Sequence, residues 1–393
     1  MKLEQRIDIL AELGDYMLSS APAWETAQYK ASKENGWFTP GFIELAVHQI
    51  ATEYLRKEKL TAWAKKYDLP SEQNPPKNIG LIMAGNIPLV GFHDMLSIFI
   101  SGHHQQIKAS SRDETMIRHL VEWMTGKQPE VASYIKFSER LNGCDAYIAT
   151  GSNNSARYFD YYFRKYPHII RRNRTSVAVL TGNESAAELE ALADDVNQYF
   201  GLGCRNVTQI YVPENYDFLP LLEALNKYNH LSELPKYKHN YDYQLTLLIL
   251  NKKYYMTNGS VLLTESGSPF SPISVLHYQY YKPGHPPTLL TGGDSDIQCV
   301  VGAPGKTTHP GGSLTDPKTT SPGGSPSNPK TTSPGGSPSN PPYNSTPDPG
   351  APPSNPPGPG TPSIPLTPFG KAQKPTLEDY ADGIDTLQFL RDL

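Results

Sequence analysis

The feature that most constrains the fold is a strand–turn–helix–strand pattern near residue 80. Residues 78–83 form a short apolar run typical of a buried strand, and residues 85–88 (Gly-Asn-Ile-Pro) follow it. Apolar residues then recur at helical spacing over residues 90–100, and residues 105–108 form a second strand-like run. Two strands joined by a helix predict a parallel sheet with a right-handed crossover.

The same alternation continues along the chain and predicts an α/β protein. Residues 1–70 carry apolar side chains at three- to four-residue spacing and are predicted to be helical. A longer helix is predicted over residues 184–200. Further strands are predicted at residues 145–150, 176–180, 207–212, 243–250 and 273–280. Strands that alternate with helices indicate a doubly wound fold.

A segment rich in Pro, Gly and Ser interrupts this pattern. Of the 37 prolines, 20 lie between Ala303 and Pro368. A 12-residue period is visible, because residues 309–320 are followed by a similar stretch at 321–332. The segment has almost no apolar residues to bury, so it is predicted to be disordered. Ordinary composition resumes after it, which predicts an insertion into a folded domain; a Pro-rich ligand for a partner protein is the alternative.

Composition excludes several functional classes. The net charge of −4 without a Lys/Arg stripe argues against nucleic-acid binding. Cys144, Cys204 and Cys299 have neither disulfide-like nor metal-ligand spacing, so we expect a reducing cytoplasm and no metal. The N-terminus enters a charged amphipathic pattern instead of a signal peptide, and the apolar runs are too short for a membrane span. The sequence therefore predicts a soluble cytoplasmic protein.

Residues 200–206 (Phe-Gly-Leu-Gly-Cys-Arg-Asn) place a cysteine among glycines, between a predicted helix and a predicted strand. Glycine permits tight turns and close approach of the backbone to a ligand. A thiol is an effective nucleophile near neutral pH. Cys204 is therefore a candidate nucleophile, and the alternative is a small, inert residue buried in a turn.

Six short motifs occur in the order found in the aldehyde dehydrogenase superfamily, which the chain resembles. Within it, the sequence is most similar to the LuxC-like acyl-CoA reductases, and the resemblance covers all but the repeat. The matching elements are Asn-x-Pro at 86–88, a Lys-Pro-Ser-like element at 108–110, Thr-Gly-Ser at 150–152, a Gly-Gln-x-Cys-like element at 201–204, a Phe-Gly-Pro-like element at 270–272 and Pro-Phe-Gly at 368–370.

This resemblance implies an aldehyde-dehydrogenase-like fold with a doubly wound nucleotide-binding domain and an α/β catalytic domain. It also implies a homo-oligomer, since superfamily members commonly pair their subunits. The predicted units are N-terminal helices with the dinucleotide-binding domain at 1–181, the catalytic domain at 182–302, the disordered insertion at 303–363 and a C-terminal segment completing the fold at 364–393.

For catalysis, the resemblance implies that Cys204 attacks an acyl thioester and carries the acyl group as a new thioester. The Asn86 side-chain amide and the backbone N–H of Cys204 would donate to the oxyanion, as such states require. A purely structural alternative exists for Asn86. Asn is a preferred helix N-cap and Pro88 would suit the first turn, so Asn86 could simply open the helix that follows it.

The implied cofactor is NADPH, held by residues of three matched motifs. Lys108 would hydrogen-bond the adenosine ribose, and Gly151 and Ser152 would cradle the pyrophosphate. Ser110 and Phe270 are predicted to contact the cofactor as members of their motifs. Without the family context, a solvated lysine and an ordinary turn are the alternatives at Lys108 and Gly151–Ser152.

The predicted reaction direction depends on a missing acid. Hydrolytic aldehyde dehydrogenases carry a Glu that activates water, but residues 169–175 (Ile-Ile-Arg-Arg-Asn-Arg-Thr) contain no acid. The acyl-enzyme would then persist until hydride reduces it, which predicts reduction of an acyl-CoA or acyl-protein thioester to an aldehyde. The acidic residue that usually precedes Phe-Gly-Pro is also missing, since Ser268 and Pro269 stand there. An acyltransferase or thioesterase without nicotinamide, and aldehyde oxidation, are the alternatives.

Two further groups of residues have open interpretations. Arg171, Arg172 and Arg174 could pair with phosphates of CoA or NADP, since a guanidinium matches phosphate geometry. A solvated basic loop is the alternative. His277 lies near the Phe270 motif and could assist proton transfer, but a half-buried strand histidine is favoured.

Overall fold

The computed structural model describes residues 1–282, 296–303 and 366–393. Its α-helices are α1 (Leu3–Met17), α2 (Pro22–Glu34), α3 (Pro40–Gln49), α4 (Lys57–Lys66), α5 (Phe92–Ser101), α6 (Glu114–Lys127), α7 (Val131–Tyr134), α8 (Asn153–Phe163), α9 (Ala186–Asn197), α10 (Leu219–Leu225), α11 (Pro235–Leu250) and α12 (Thr386–Arg391). Its strands are β1 (Asn78–Ile82), β2 (His104–Lys108), β3 (Ile135–Phe137), β4 (Ala146–Thr150), β5 (His168–Arg171), β6 (Thr175–Val179), β7 (Val207–Pro213), β8 (Met256–Thr257), β9 (Leu262–Glu265), β10 (Val275–Tyr281), β11 (Ile297–Val301) and β12 (Leu366–Thr367).

The predicted helices of the N-terminal region are confirmed. Their buried side chains share one hydrophobic core with β1 and β2. In α1 the residues Leu10, Leu13 and Met17 are buried at helical spacing, which fixes the face that α1 turns inward. A single turn of π-helix, Ile50–Tyr54, continues α3. Such turns are rare and often occur at functional sites.

The first sheet is fully parallel, in the order β3-β2-β1-β4-β5. The predicted strand–helix–strand unit is β1-α5-β2, so the doubly wound arrangement is confirmed. The chain adds β2 and β3 on one side of β1 and then returns to add β4 on its other side. The strand order therefore reverses between β1 and β4, and ligands of doubly wound sheets bind at such a point.

The second sheet has the order β12-β11-β6-β7-β10-β9-β8 and is parallel except for the β8–β9 pair. The chain passes into it between Arg171 and Thr175, a few residues before the predicted domain boundary at 181. The boundaries of the domains stay a prediction.

The C-terminal segment joins the same fold as the chain before the insertion. Val300 pairs with Leu366 in the second sheet, and Gly302 N–H donates to the Thr367 carbonyl over 2.9 Å. Beyond β12 the chain runs back to the N-terminal helices, where Leu387 and Leu390 of α12 are fully buried. The predicted repeat and its predicted disorder lie outside the described residues.

A buried carboxyl holds the Pro-Phe-Gly motif. Asp195 of α9 accepts hydrogen bonds from the backbone N–H groups of Gly370 (2.6 Å) and Ala372 (3.1 Å). Burial raises the pKa of Asp195 to about 7, and these two donors oppose that shift. These hydrogen bonds thus anchor the motif, and with it the C-terminal segment, to α9.

Two local predictions are wrong. Residues 243–250, predicted as a strand, belong to helix α11. Its buried side chains, Tyr237, Tyr241 and Leu248, recur at helical spacing that extends outside the short apolar run, so the run alone resembled a strand. Asn86 does not cap a helix, because α5 begins six residues later at Phe92 with Gly91 as its N-cap.

None of the helices in the described ranges combines the length and the apolar character that crossing a bilayer requires.

We expect the fold to survive replacement of residues 304–363 by a short Gly-Ser linker, because the two ends that the segment joins are hydrogen-bonded neighbours. The predicted result is a far-UV circular dichroism spectrum of a folded α/β protein and a Tm within about 4 °C of the full chain. Loss of cooperative thermal unfolding in the shortened chain would contradict it.

Candidate active site

A cavity of about 800 Å³ lies between the carboxyl end of the first sheet and the loop that precedes β7. The C-terminal segment, from Gln373 to Asp382, forms part of its wall. It is lined by six of the seven predicted site residues, namely Asn86, Ser110, Gly151, Ser152, Cys204 and Phe270. The seventh, Lys108, is exposed at the end of β2, on the same edge of the sheet but outside this lining.

The loop that carries Cys204 has an unusual backbone. Tyr199 (φ 54°), Phe200 (φ 58°) and Gly201 (φ 73°) follow one another in the left-handed region. Only the glycine adopts this conformation without cost, and non-glycine residues there store about 1–3 kcal/mol each. Aromatic packing holds the two strained residues in place, because the Phe200 ring lies 5.0 Å from the rings of both Trp37 and Phe42.

Asn206 fixes the same loop from its other end. Its side chain is fully buried, and its Oδ1 accepts from the Gly203 N–H over 2.8 Å. Its Nδ2 donates to the carbonyls of Gln198 (2.8 Å) and Asp195 (3.0 Å). The amide thus ties the end of α9 to the turn around Cys204. Sequence reasoning missed this residue, and the available signal was an Asn at the end of a glycine-rich turn, where its side chain can bond to nearby backbone.

Cys204 itself is half-buried at the cavity wall, whereas Cys144 and Cys299 are buried. Its backbone carbonyl accepts from the Ser176 hydroxyl over 3.1 Å. Burial raises the pKa of the Cys204 thiol, and the positive charge of Arg205 acts in the opposite direction. The position at the cavity favours the nucleophile interpretation over an inert buried cysteine.

Asn86 links the two sheets at this point. Its Nδ2 donates to the Leu202 carbonyl over 2.6 Å, so the turn after β1 is bonded to the Cys204 loop. The buried carboxyl of Asp113 lies near the same turn, where the backbone N–H groups of Leu89 and Val90 oppose the effect of burial on its pKa. Burial raises the pKa of Asp113 well above its usual range. Asn86 is therefore bonded to the backbone two positions before Cys204, and both residues line the cavity.

Gly151 and Ser152 form the turn between β4 and α8. Ser152 is the N-cap of α8, since its Oγ accepts from the Ser155 N–H over 3.2 Å. A Cβ at Gly151 would lie 2.9 Å from side-chain atoms of both Phe159 and Ser155, so only glycine fits. A Cβ at Gly85 would likewise lie 2.5 Å from the Ser110 Oγ. Side chains thus pack closely against the backbone of both turns, the one after β1 and the one after β4.

The three arginines of the 171–174 stretch are each paired with a carboxylate. Arg171 Nη2 lies 2.7 Å from Asp94 Oδ1, and both side chains are buried. The exposed Arg172 contacts Asp160 at 2.7 Å, and Arg174 contacts Asp382 at 3.0 Å. The interpretation as a solvated loop is therefore wrong for Arg171 and Arg174, because Arg171 ends the buried strand β5 and both pair with acids from distant parts of the chain.

Each acid that lines the cavity within the described ranges also has a donor. Asp94 and Asp382 are held by arginines, and the carboxylate of Asp379 accepts from the Thr376 N–H over 2.8 Å. In the same described part of the chain, no three His, Cys, Asp or Glu side chains group as metal ligands would. His277 lies in β10, buried, with its Nδ1 2.8 Å from the Ser268 carbonyl, which confirms the strand histidine.

Comparison with known proteins establishes the fold class. No family model and no curated protein matches the sequence. Solved aldehyde dehydrogenase structures match over 72% of the chain, each at low sequence identity. They include an NAD-dependent enzyme from Sinorhizobium meliloti (13% identity, 66% of that chain, TM-score 0.54), one from Physcomitrella patens with the reaction product succinate (12%, 69%, 0.54) and one from Mycobacterium tuberculosis complexed with NAD+ (12%, 69%, 0.52).

The chain therefore has the aldehyde dehydrogenase fold, as the ordered motifs predicted. It spans about two thirds of the length of these three enzymes.

We predict that Asn206→Ala lowers the free energy of unfolding by roughly 3 kcal/mol, because it strands one buried donor and several carbonyls around the Cys204 loop. Urea unfolding, followed by fluorescence, measures this change in the free energy of unfolding. The matched control is Asn251→Ala, an exposed asparagine that also bonds one backbone carbonyl, with an expected change within about 0.5 kcal/mol. Equal losses in the two variants would contradict the role given to Asn206.

Proposed function

We propose that this protein reduces a fatty acyl thioester, acyl-CoA or acyl-protein, to the aldehyde with NADPH through an acyl-Cys204 intermediate. The observation that carries the proposal is the shared cavity. It brings a half-buried cysteine, an asparagine amide and the turn at the N-terminus of α8 to one place in an aldehyde dehydrogenase fold.

The residues at the first sheet suit a dinucleotide. The cavity lies where the strand order reverses between β1 and β4, the usual nucleotide site of doubly wound sheets. Gly151 keeps the turn after β4 tight against Phe159 and Ser155, and the backbone N–H groups at the start of α8 attract phosphate. Ser110 and Phe270, which also line the cavity, would complete the site, and Lys108 would reach the adenosine ribose from the end of β2. The structural relatives from S. meliloti and M. tuberculosis are described with NAD, while NADPH stays a prediction for this chain.

The chemistry assigned to the chain itself begins at Cys204. Its thiolate attacks the carbonyl carbon of the substrate thioester, the carbonyl oxygen becomes an oxyanion, and the original C–S bond then breaks to release the substrate thiol. The Asn86 amide and the Cys204 backbone N–H would donate to that oxyanion. Asn86 Nδ2 carries two hydrogens, so its bond to the Leu202 carbonyl leaves one for the oxyanion.

The surroundings of Cys204 favour reduction over hydrolysis. No carboxylate of the described cavity lining is free to activate water as the Glu of hydrolytic aldehyde dehydrogenases does, because Asp94, Asp379 and Asp382 are all engaged. The acyl group on Cys204 would then be kept from water until it is reduced. The nicotinamide, when bound, supplies the hydride for that reduction.

Several of the side chains that line the cavity are apolar and suit an acyl chain. They come from the N-terminal helices, the turn after β1 and the Cys204 loop, and include Ala46, Ile50, Ile87, Tyr199 and Leu202. Burial of methylene groups against such side chains contributes about 0.8 kcal/mol each. The length of the acyl chain and the homo-oligomer stay predictions.

The decisive experiment follows NADPH absorbance with acyl-CoA substrates of increasing chain length. We expect consumption of NADPH with formation of aldehyde, and loss of this activity in Cys204→Ala. Cys144→Ala is the matched control, because Cys144 is buried away from the cavity, and it should retain activity.

The alternatives give different results in the same assay. Release of CoA that does not depend on NADPH would identify an acyltransferase or thioesterase. Reduction of NADP+ by aldehyde without CoA would identify the oxidative reaction. No NADPH consumption at any chain length, or an unchanged rate in Cys204→Ala, refutes the proposal.

For Asn86→Ala we expect kcat for acyl-CoA reduction to fall by about 10²–10³ with a smaller change in KM, because the oxyanion loses a donor. Alkylation of Cys204 by iodoacetamide forms no oxyanion, so its rate should change little in the same variant. A parallel loss of both rates would show that Asn86 acts only by holding the Cys204 loop through Leu202.

A further inference from the structure

The residue after the nucleophile has unusual partners for an arginine in this cavity. Arg205 Nη1 contacts the Cys299 sulfur at 3.3 Å, and its Nη2 donates to the Asp379 backbone carbonyl over 2.7 Å. Neither partner is a carboxylate. The Asp379 carboxylate itself is turned to Thr376, whose N–H and hydroxyl it accepts.

This distinguishes Arg205 from the three arginines of the 171–174 stretch. Arg171, Arg172 and Arg174 each lie within salt-bridge distance of a carboxylate. No carboxylate of the described residues lies within that distance of Arg205. Since a carboxylate would neutralise the guanidinium, Arg205 retains its charge at the wall where Cys204 lies.

An irregularity in β11 creates this arrangement. The register between β11 and β6 shifts between Ile297 and Val300, and the residues in between include Cys299. Bulges next to active sites re-aim side chains in this way. The Cys299 N–H donates to the Ser176 hydroxyl over 3.1 Å, and that hydroxyl in turn donates to the Cys204 carbonyl over 3.1 Å. One serine thus joins the bulge to the backbone of Cys204.

The charged and titratable groups around Cys204 come from four parts of the chain. Arg205 lies on the same loop, Cys299 on β11, Asp382 on the C-terminal segment and Tyr54 on the π-helical turn. Of these, Arg205 alone is a cation. Burial raises the pKa of the Cys204 thiol most strongly, Cys299 and Asp382 add to that effect, and Arg205 lowers it.

We infer that Arg205 is a positioning residue that stabilises the thiolate of Cys204, with its guanidinium aimed by the Cys299 sulfur and the Asp379 carbonyl. The inference rests on the proposed function in that Cys204 is taken as the nucleophile. It assigns the bulge of β11 and the C-terminal segment a role in reactivity, since each supplies one of the two groups that orient Arg205.

The test is the pH dependence of Cys204 alkylation by iodoacetamide, with the labelled residue identified by peptide mass spectrometry. In Arg205→Gln we expect the rate at pH 7 to fall about tenfold or more and the midpoint of the profile to move to higher pH, since an adjacent opposite charge typically shifts a pKa by about 1–3 units. Arg205→Lys keeps the charge and should retain most of the rate. Arg56→Gln, an exposed arginine paired with Asp15, is the control and should match the wild type.

Three outcomes overturn the inference: an unchanged profile in Arg205→Gln, equal losses in the Gln and Lys variants, or no labelling of wild-type Cys204. A measurement on the unaltered protein remains if the variants do not fold. The ratio of the iodoacetate rate to the iodoacetamide rate should exceed that of glutathione several-fold, because the anionic reagent is drawn to the guanidinium, and an equal ratio also overturns the inference.

This test is independent of the reductase assay, because alkylation requires neither acyl donor nor cofactor. Failure of NADPH consumption with a shifted profile in Arg205→Gln would refute the reductase and leave the role of Arg205 in place. The reverse result would refute only the role of Arg205.

Discussion

The candidate active site depends on one buried side-chain amide. Asn206 accepts from the turn before Cys204 and donates to carbonyls at the end of α9, so it closes a loop whose backbone is otherwise strained at Tyr199 and Phe200. A buried amide that lost these partners would be costly, so its hydrogen bonds stabilise the observed conformation of the loop. Asn86 then extends the constraint across the cavity by its bond to the Leu202 carbonyl. The nucleophile and its expected oxyanion donor are thus positioned by the same small network.

Charge in the cavity is distributed unevenly, and this sets the chemistry we propose. Three arginines and three aspartates neutralise one another in pairs, including the buried pair of Arg171 and Asp94. Such a pair contributes little net stability, because desolvation offsets the Coulomb attraction, but it removes both groups from reaction with substrate. Next to Cys204 stands the guanidinium of Arg205, which is paired with no described carboxylate, and no described carboxylate of the cavity lining is free to activate water. The arrangement suits capture of an acyl group better than its hydrolysis.

Sequence reasoning predicted the parts of the fold that local patterns determine. The β1-α5-β2 unit follows from buried runs and helical spacing, and the turn at Gly151 and Ser152 follows from the motif that contains it. The prediction was wrong where a short window was ambiguous. Residues 243–250 look like a strand until the buried positions further back in α11 are known.

Contacts between distant parts of the chain could not be predicted at all. Asp379 and Asp382 approach Arg205 and Arg174 across roughly half the length of the chain, and nothing near either sequence position indicates the other. The bulge that aims Cys299 is likewise a product of strand pairing. The sequence around Asn206 gave a weak local signal. The stabilising role of Asn206, however, depends on carbonyls at the end of α9, which only the folded chain brings close to its amide.

Because β11 pairs with β12, the fold can tolerate insertions between these two strands. Gly302 and Thr367 are 65 positions apart in sequence and adjacent in the sheet, so whatever chain joins them begins and ends at fixed neighbouring points. The entropic cost of closing such a connection rises only logarithmically, by about 0.6 kcal/mol for each doubling of length. Gain or loss of a 12-residue unit therefore costs the folded protein little, and duplication errors in the gene could accumulate here without selection against them. The same tolerance would let an engineer place a reporter domain at this site.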